Sequence, residues 1–253
     1  MKSLAIATLA GAALCGAAPQ GNAACEVASG PHTAALVELF TSEGCSSCPP
    51  ADRALGSLPG SLGEAVVPLA LHVGYWDGLG WRDPYAQDAF TQRQQWLANV
   101  SGASAVYTPA FFVNGREARL GSLTDRVRRL NAEPPLAALR LRAAAGGDTL
   151  TLSVLASTKP GVPDAALYVA VAESGLVSQV RAGENAGATL RHAHVVRQWL
   201  GPFSLHASKL EWQRDVPLAA GWKREQLEVA AFVQDLKTGR ILQAVSASQC
   251  AGG

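Results

Sequence analysis

The sequence predicts an α/β domain followed by an all-β domain, and three observations lead to this prediction. Apolar, strand-like stretches alternate with helical stretches as far as residue 135. Beyond a linker at Glu133-Pro-Pro135, short stretches alternate apolar and polar residues, which is typical of half-buried strands. The chain has 253 residues, of which 48% are hydrophobic and 16% are charged, and this suits one large domain or two small ones.

The first 24 residues have the features of a secretory signal peptide. Lys2 gives a short positive region, an apolar stretch rich in Ala and Leu follows at 4–18, and small residues lead to Ala24, near which we expect cleavage. The alternatives are an uncleaved anchor and a lipid-modified Cys25, although the apolar stretch is short for a transmembrane helix. Export would place the mature chain in the periplasm or outside the cell, where disulfides form.

The charge pattern disfavours two classes of partner. The net charge is +1 and no basic run is present, so we expect neither nucleic acid nor an anionic membrane surface as a partner. We also expect no membrane span in the mature chain, no cofactor and no bound metal.

The chain is organised around a C-x-x-C motif. A buried apolar strand at 35–40 ends in a Ser-Glu-Gly turn, Cys45 and Cys48 follow, and Pro49-Pro50 then begins a helix. At a helix N-terminus, unpaired N–H groups and the macrodipole stabilise a thiolate, so the pKa of such a dithiol falls and its reactivity rises. We expect Cys45 to be the more exposed and to attack, and Cys48 to face inward and resolve the mixed disulfide.

Other interpretations of the motif compete with a redox-active dithiol. A zinc site needs four ligands, and the sequence has no second C-x-x-C and no C-x-x-H. A purely structural disulfide is the other alternative. Glu43 acts against the redox interpretation, because a nearby carboxylate disfavours a thiolate.

The second predicted strand leads into an aromatic loop. Residues 65–73 form an apolar strand, and the helix at 49–58, which Pro59-Gly60 should end, makes it parallel to the first strand with a right-handed crossover. Since ligands gather at the carboxyl ends of parallel strands, the following loop at 74–85 should share one rim with the C-x-x-C motif.

This loop holds four aromatic residues, three glycines and one proline. Trp76 and Trp81, together with Tyr85, are candidates for an apolar wall that binds substrate beside the dithiol. The alternative is that they cap the core from outside. His72 lies inside the preceding strand, where we expect a hydrogen-bonded core residue and not a ligand.

A hairpin follows the next predicted helix, at 87–99. Thr108-Pro109 opens an apolar strand, and Asn114-Gly115 after it favours a type I′ turn. The domain is then completed by a return strand at 117–120 and a closing helix at 123–130.

The order of these elements resembles the thioredoxin superfamily. In that superfamily a cis-proline faces the dithiol, and Thr108-Pro109 matches its position. The resemblance therefore implies a cis Thr108–Pro109 bond, a substrate-binding function for these two residues, and an α/β thioredoxin-like domain followed by an all-β sandwich-like domain.

A closer resemblance rests on three strings. The segment Leu-Phe-Thr-Ser-Glu-Gly-Cys-Ser-Ser-Cys-Pro-Pro-Ala-Asp, the Trp-Asp loop and Tyr-Thr-Pro-Ala-Phe-Phe-Val-Asn-Gly are similar to an uncharacterised family of secreted bacterial thioredoxin-like proteins, a domain of unknown function. The resemblance covers nearly all of the mature chain and implies fold and compartment, but no substrate. The chain departs from ordinary thioredoxins in having Ser-Ser between the cysteines and a second domain.

On this basis we divide the chain into a signal peptide at 1–24, a thioredoxin-like domain at 25–135 and a β-sandwich domain at 136–253. The strands predicted in the last domain are 139–142, 149–154, 166–172, 227–233 and 241–245. His192 and His194 would lie on one face of a strand, where two imidazoles could bind copper or zinc. We favour the alternative that they are surface or inter-strand hydrogen-bonding residues.

Cys25 and Cys250 are predicted to form a structural disulfide. Cys15 leaves with the signal peptide, and Cys45 and Cys48 account for two of the four cysteines that remain. The other two lie at the ends of the mature chain, which are often close together, and exposed free thiols are hazardous in an oxidising compartment. The alternatives are a lipidated Cys25 and two free thiols.

Three functions from different classes fit these features. The first is an exported thiol–disulfide oxidoreductase, in which Cys45 and Cys48 act on an exported protein or a small thiol, Thr108 and Pro109 contact the substrate, and the β domain docks it. The second is a copper-handling protein, because soft thiolates favour Cu(I). The third is a non-catalytic binding protein whose dithiol is vestigial.

Overall fold

The computed structural model describes residues 24–103, 105–162 and 164–248. The predicted signal peptide, apart from Ala24, and Cys250 lie outside these residues. The helices of the described part are α1 (Pro49–Leu62), α2 (Asp88–Ser101) and α3 (Leu123–Asn131).

Strands make up most of the regular structure. Those before residue 135 are β1 (Ala24–Ala28), β2 (Ala35–Thr41), β3 (Val66–His72), β4 (Ala110–Val113) and β5 (Arg116–Ala118). The later strands are β6 (Ala137–Gly146), β7 (Thr149–Thr158), β8 (Ala165–Glu173), β9 (Leu176–Gln179), β10 (Thr189–His192), β11 (Val195–Ser204), β12 (Lys209–Pro217), β13 (Leu227–Asp235) and β14 (Ile241–Ser248).

The local elements near the C-x-x-C motif agree with the sequence except at one helix end. β2 and β3 are parallel and are joined through α1. Pro59 does not end α1, which continues to Leu62. Pro59 has no N–H to bond the carbonyl of Leu55, but Leu55 and Leu58 are buried against the sheet and hold this turn in place.

The largest sheet has eight strands in the order β14-β13-β8-β11-β3-β2-β4-β5. Four of these strands come from the first half of the chain and four from the second. They meet where β3 and β11 run parallel, with Val195 opposite Ala70 and the Ala70 N–H donating to the His194 carbonyl at 2.8 Å. The sheet is therefore mixed and continuous across residue 135.

The predicted fold class, a thioredoxin-like α/β domain followed by a β-sandwich domain, is wrong. The chain is mostly β, and its strands are shared between large mixed and antiparallel sheets. Even β1, from the start of the described chain, pairs with β6 in the second sheet. The physical reason is that hydrophobic periodicity identifies strands, whereas pairing between strands more than a hundred residues apart leaves no local pattern.

The core lies on both faces of the eight-stranded sheet. α2 covers one face, where Phe90 and Leu97 pack on a row of rings from Phe40, Phe112, Tyr168 and Phe232. The other face is covered in two parts. α1 and α3 pack over β2, β3 and β4, while the antiparallel sheet β1-β6-β7-β12 packs over β8, β13 and β14.

The β4–β5 hairpin also contacts the second half of the chain. Asn114 and Gly115 both have positive φ, 48° and 76°, as the predicted Asn-Gly turn requires. A Cβ on Gly115 would lie 1.8 Å from the carbonyl oxygen of Gly239, in the turn between β13 and β14. Only glycine permits this approach.

A buried ion pair attaches α2 to the sheet. Arg93 donates from Nε and Nη2 to the two carboxylate oxygens of Glu38 on β2, at 2.5 and 3.0 Å, and from Nη1 to Gln234 on β13 at 3.2 Å. Its guanidinium lies within 6 Å of four aromatic ring centroids, those of Trp96, Tyr168, Trp199 and Phe232. We call the Glu38–Arg93 ion pair, together with the Gln234 amide that bonds Arg93, the scaffold pair.

Within the described ranges, no helix is long and apolar enough to cross a membrane.

Candidate redox site

Cys45 and Cys48 form a disulfide at the start of α1. Their Cα atoms are 5.4 Å apart, Cys48 is the N-cap residue, and Pro49 and Pro50 occupy the first helical positions, as predicted. The expectation that Cys45 is the more exposed is wrong, because both cysteines have 0% exposure. The predicted roles, attack by Cys45 and resolution of the mixed disulfide by Cys48, therefore have no counterpart in the accessibility of the two sulfur atoms.

A loop from the second half of the chain lies against the C-x-x-C segment and bonds its backbone. This covering loop, residues 180–188, connects β9 to β10. Glu184 Oε2 accepts hydrogen bonds from the backbone N–H and the hydroxyl of Ser46, at 3.0 and 2.7 Å. Asn185 Nδ2 donates to the carbonyls of Glu43 and Cys45, at 2.8 and 2.9 Å. Hydrogen bonds from this loop thus hold three residues in or beside the motif, namely Glu43, Cys45 and Ser46.

Trp76 and Thr108 lie together on one side of the motif. The Trp76 indole N–H donates to the Thr108 hydroxyl at 2.8 Å, and the Thr108–Pro109 bond is cis, as predicted. A Cβ on Gly44 would lie 2.9 Å from the Trp76 Cβ, so glycine is needed for this side chain to pack on the motif. Three of the four predicted substrate-binding residues are therefore connected to one another here.

Trp81 contacts the motif through Glu43. Its indole N–H donates to Glu43 Oε2 at 2.7 Å, while His192 Nε2 lies 3.0 Å from Oε1. The Glu43 carboxylate is fully buried, and its backbone N–H donates to Asp83 Oδ2 at 2.8 Å. The residue that the sequence marks only as a nearby negative charge is thus the centre of a hydrogen-bonded group.

His72 and Asp83 form a second buried pair, with Nδ1 and Oδ2 2.7 Å apart. The same Asp83 oxygen accepts the hydrogen bond from the Glu43 N–H, which connects this pair to the motif. Burial opposes the charge on His72, but the Asp83 carboxylate outweighs it and raises the pKa of the imidazole. Burial likewise opposes the charge on Asp83, yet His72 and the N–H groups of Glu43 and Tyr85 lower the pKa of its carboxyl. His72 is the core residue that the sequence predicts, with one ring nitrogen engaged.

Asp52 lies one turn into α1, and its N–H donates to the Cys48 carbonyl at 3.1 Å. Burial raises the pKa of its carboxyl, and the nearby His72 and His192 oppose this shift only in part. We call Glu43, Asp52, His72, Asp83 and His192 the buried polar cluster. The atoms Asp52 Oδ1, His72 Nε2 and His192 Nδ1 have no hydrogen-bond partner in the described chain.

The two later histidines do not share one face. His192 ends β10 and pairs with Glu43, while the next residues turn and His194, at φ 58°, pairs with Glu228. Both are hydrogen-bonding residues, the alternative we favour, although His192 is buried and belongs to the site. Among residues 24–103, 105–162 and 164–248, no group of three or more His, Cys, Asp or Glu side chains is arranged to hold a metal ion.

Sequence comparison gives the family. A family model described as a protein of unknown function (DUF1223) matches residues 36–234. The chain belongs to the DUF1223 family. The matched range contains both cysteines, the buried polar cluster and the covering loop, so the whole candidate site lies within the DUF1223 region. No curated protein matches the sequence.

Solved structures similar to this DUF1223 protein agree with its fold. The crystal structure of protein AGR_C_4864 from Agrobacterium tumefaciens is 25% identical, with a TM-score of 0.63, and the match covers 87% of this chain and 96% of that one. HBP35 of Porphyromonas gingivalis is 17% identical, with a TM-score of 0.68, over 86% of this chain and 75% of that one. The second likeness concerns the fold alone.

Sequence reasoning on this DUF1223 chain missed Asp52, Asp83, Glu184 and Asn185. Asp83 has a weak signal, since it lies in the aromatic loop, and the Gly-Glu-Asn string marks the other loop without indicating its contact. Cys25 is disulfide-bonded. Its predicted partner, Cys250, lies outside the described residues, so that pairing stays a prediction.

Proposed function

We propose that the protein is an exported thiol–disulfide oxidoreductase that acts through Cys45 and Cys48 in the periplasm or outside the cell. The observation that supports it best is the position of the disulfide at the N-terminus of α1, between Glu43 and Asp52 of the buried polar cluster in the sequence. Perturbed titratable groups concentrate at functional sites more often than in ordinary cores. The substrate would be a thiol or disulfide of an exported protein or a small molecule.

The reaction is a two-step exchange. A substrate thiolate attacks Cys45 Sγ, the Cys45–Cys48 bond breaks, and Cys48 leaves as a thiolate. A second substrate thiolate then attacks the substrate sulfur of the mixed disulfide and releases Cys45. The protein gains two electrons and two protons, and the two substrate thiols become one disulfide. The reverse sequence oxidises the protein and reduces the substrate.

The neighbouring residues have separate functions in this proposal. The helix N-terminus stabilises the Cys48 thiolate as it forms. Thr108 and Pro109 contact the substrate backbone, while Trp76 and Trp81 form the apolar wall on which the substrate side chains pack. None of this chemistry depends on the thioredoxin fold, which the shared mixed sheet contradicts.

Reduction potential and trapping test the proposal. The mature protein should exchange with a glutathione redox buffer at a potential within the range of known dithiol oxidoreductases, roughly −270 to −120 mV. Cys48→Ser should accumulate mixed disulfides with exported proteins through Cys45, whereas Cys45→Ser should accumulate few. Full disulfide-reduction activity in both serine variants would reject the proposal.

A second candidate function is favoured by the complete burial of both sulfur atoms. In this alternative the disulfide is structural and only fixes the turn between β2 and α1. The four-residue loop that it closes would then contribute about 2 kcal/mol by the chain-entropy model. The reduction potential of the disulfide would then lie below about −300 mV. The double variant Cys45→Ser/Cys48→Ser would lose stability, and the biological function of the protein would not depend on thiol–disulfide exchange.

A further inference from the structure

Any reaction at the disulfide requires that a buried sulfur atom becomes accessible. Disulfide exchange requires access of the attacking sulfur to one sulfur of the bond. Cys45 and Cys48 both have 0% exposure. The side chains of Glu184 and Asn185 bond the C-x-x-C segment from the outside. The C-x-x-C segment or a segment that bonds it therefore moves before a substrate reacts, and we take the covering loop as that segment.

The two contacts that hold this loop differ in their environment. The Glu184 carboxylate is exposed, and its hydrogen bonds from Ser46 lower the pKa of the carboxyl, so it binds as an anion. Contacts of this kind compete with water and contribute little. Asn185 is half-buried, and its amide bonds two backbone carbonyls. The outer contact is thus the one that another anion can replace.

A small cationic cavity adjoins the same segment. It has a volume of about 130 Å³ and is lined by Pro49, Asp52, Arg53, Thr189, Leu190 and Arg191. Pro49 follows Cys48 directly, and Thr189 to Arg191 continue from the covering loop. Both arginines are exposed, and neither has an ion-pair partner in the described chain. Asp52 is the one acidic residue of this lining, and the two arginines leave the cavity with an excess of positive charge.

We propose that the disulfide reacts preferentially with small thiols that carry a carboxylate. This carboxylate binds beside Arg53 and Arg191, next to the end of the covering loop, and the contact of Glu184 with Ser46 breaks as the loop opens. Until then Glu184 holds the loop on the C-x-x-C segment. The inference rests on the proposed oxidoreductase function and specifies its substrate class.

The chemical step is the exchange described above, with the small carboxylate-bearing thiol, which we call the carrier, as reductant. The carrier thiolate bonds Cys45 Sγ as the Cys45–Cys48 bond breaks, and a second carrier thiolate releases the carrier disulfide. Two carrier thiols lose two electrons, and the protein disulfide becomes two thiols. The carboxylate takes no part in bond changes and serves only to open the loop and to hold the carrier.

The test measures the rate of disulfide reduction in the mature protein with three small thiols. These are 3-mercaptopropionate, 2-mercaptoethanol and cysteamine, which are anionic, neutral and cationic, and each rate is divided by the thiolate concentration. We expect the anionic thiol to react about tenfold faster than the neutral one at low salt, and the advantage to shrink as salt is added.

Variants locate the effect. Arg53→Gln/Arg191→Gln should lower the normalised rate of the anionic thiol to that of 2-mercaptoethanol in the same variant, while Arg53→Lys/Arg191→Lys should keep most of the difference between the two thiols. Arg128→Gln, an exposed arginine on α3, is the matched control and should change nothing. Glu184→Ala should raise the 2-mercaptoethanol rate several-fold, because the loop then opens without first breaking the hydrogen bonds between Glu184 and Ser46.

Two results would overturn the inference, and they are distinguishable from failure of the proposed function. Equal normalised rates for the three thiols, or an anionic advantage that survives Arg53→Gln/Arg191→Gln, would overturn the substrate class while leaving the oxidoreductase intact. If no thiol reduces the native disulfide although all reduce it after denaturation, the proposed function falls first and the inference with it.

Discussion

Two buried carboxylates stand five residues apart, and they are used in opposite ways. Glu38, inside β2, bonds Arg93 through both oxygens, and the guanidinium has partners on each nitrogen and aromatic rings around it. Glu43, just beyond β2, belongs to the buried polar cluster, in which ring nitrogens of His72 and His192 lack partners in the described chain. In the first group each guanidinium nitrogen and each Glu38 oxygen has a hydrogen-bond partner. In the second group ring nitrogens remain that can still bind or release a proton.

This difference separates a scaffold from a site. A buried charge costs free energy unless it is paired and hydrogen-bonded, and the scaffold pair meets that condition completely. The buried polar cluster meets it only in part, which lowers stability and leaves groups that can exchange protons. Such incompletely satisfied groups are expected where function requires them. We expect substitutions in the first group to change stability and substitutions in the second to change reactivity.

The largest effect should come from breaking the scaffold pair. Arg93→Met leaves Glu38 as an uncompensated buried charge and should lower the free energy of unfolding by about 3–5 kcal/mol. Denaturant titration measures this, with Arg140→Met of the exposed Arg140–Glu26 pair as the control, expected below about 1 kcal/mol. Folded Arg93→Met should keep the wild-type reduction potential, and a changed potential would contradict the division between the two groups.

The next effect comes from the His72–Asp83 pair. Asp83→Asn keeps the shape but removes the charge, and should cost about 2 kcal/mol. The raised His72 pKa gives stability that is present below the unfolded value near 6.5 and is lost as pH rises through the folded pKa. The lowered Asp83 pKa gives stability above its unfolded value near 3.8, lost as pH falls through the folded pKa.

The cost of Asp83→Asn should therefore be greatest between these two values, around pH 5–6, and should shrink once His72 is neutral. Urea titrations at pH 5.5 and pH 8.5 measure the difference. An equal cost at both values would show that the pair acts only as a neutral hydrogen bond.

The two groups also differ in what the sequence reveals. Local patterns predict β2, β3, the helix start at Pro49 and the Asn114-Gly115 turn, whereas the cis bond before Pro109 follows from the resemblance to the thioredoxin superfamily. Neither the Glu38–Arg93 pair nor the Glu184–Ser46 contact leaves a local pattern, because each joins residues far apart in the chain. The pairing of β3 with β11 has the same character, and missing it produced the wrong fold class.

The candidate site was therefore predictable in its reactive atoms and unpredictable in its surroundings. Cys45, Cys48, Trp76 and Thr108 follow from spacing and from resemblance. The sequence predicts an exposed Cys45 because helix geometry gives only the direction of the side chain, whereas burial also depends on segments distant in the sequence, such as residues 180–188, which bond the Cys45 carbonyl. Long-range contacts of this kind decide access, and access decides which chemistry a dithiol performs.

A smaller effect should appear in the reduction potential. Glu43→Gln removes a negative charge two residues from Cys45 and favours the reduced, thiolate-bearing protein. We expect a more oxidising potential by about 30 mV, which corresponds to about 1.4 kcal/mol. Equilibration with glutathione measures it, and Glu64→Gln, at an exposed site, is the control. An unchanged potential would mean that the Glu43 side chain has no electrostatic effect on the dithiol.

The smallest effect should be a gain in stability from Asp52→Asn. Both Asp52 and Asp88 lie in the first turn of a helix, where a carboxylate is favoured, but Asp52 is half-buried, with its Oδ1 atom fully buried, and Asp88 is exposed. Burial raises the pKa of the Asp52 carboxyl. Above the folded pKa the native state therefore holds this charge away from water, which costs free energy, whereas the unfolded chain exposes the same charge to water.

The sign of the pH dependence follows from this. Below the unfolded value near 3.8 both states are protonated and the penalty vanishes, and it grows to its full size as pH rises through the folded pKa. Asp52→Asn should therefore stabilise the protein by about 1 kcal/mol at pH 8 and by almost nothing at pH 3. Asp88→Asn should instead lose a few tenths of a kcal/mol at pH 8. If Asp52→Asn destabilises the protein at pH 8, its carboxylate is a paired scaffold group like Glu38, and the buried polar cluster has no free proton acceptor beneath the disulfide.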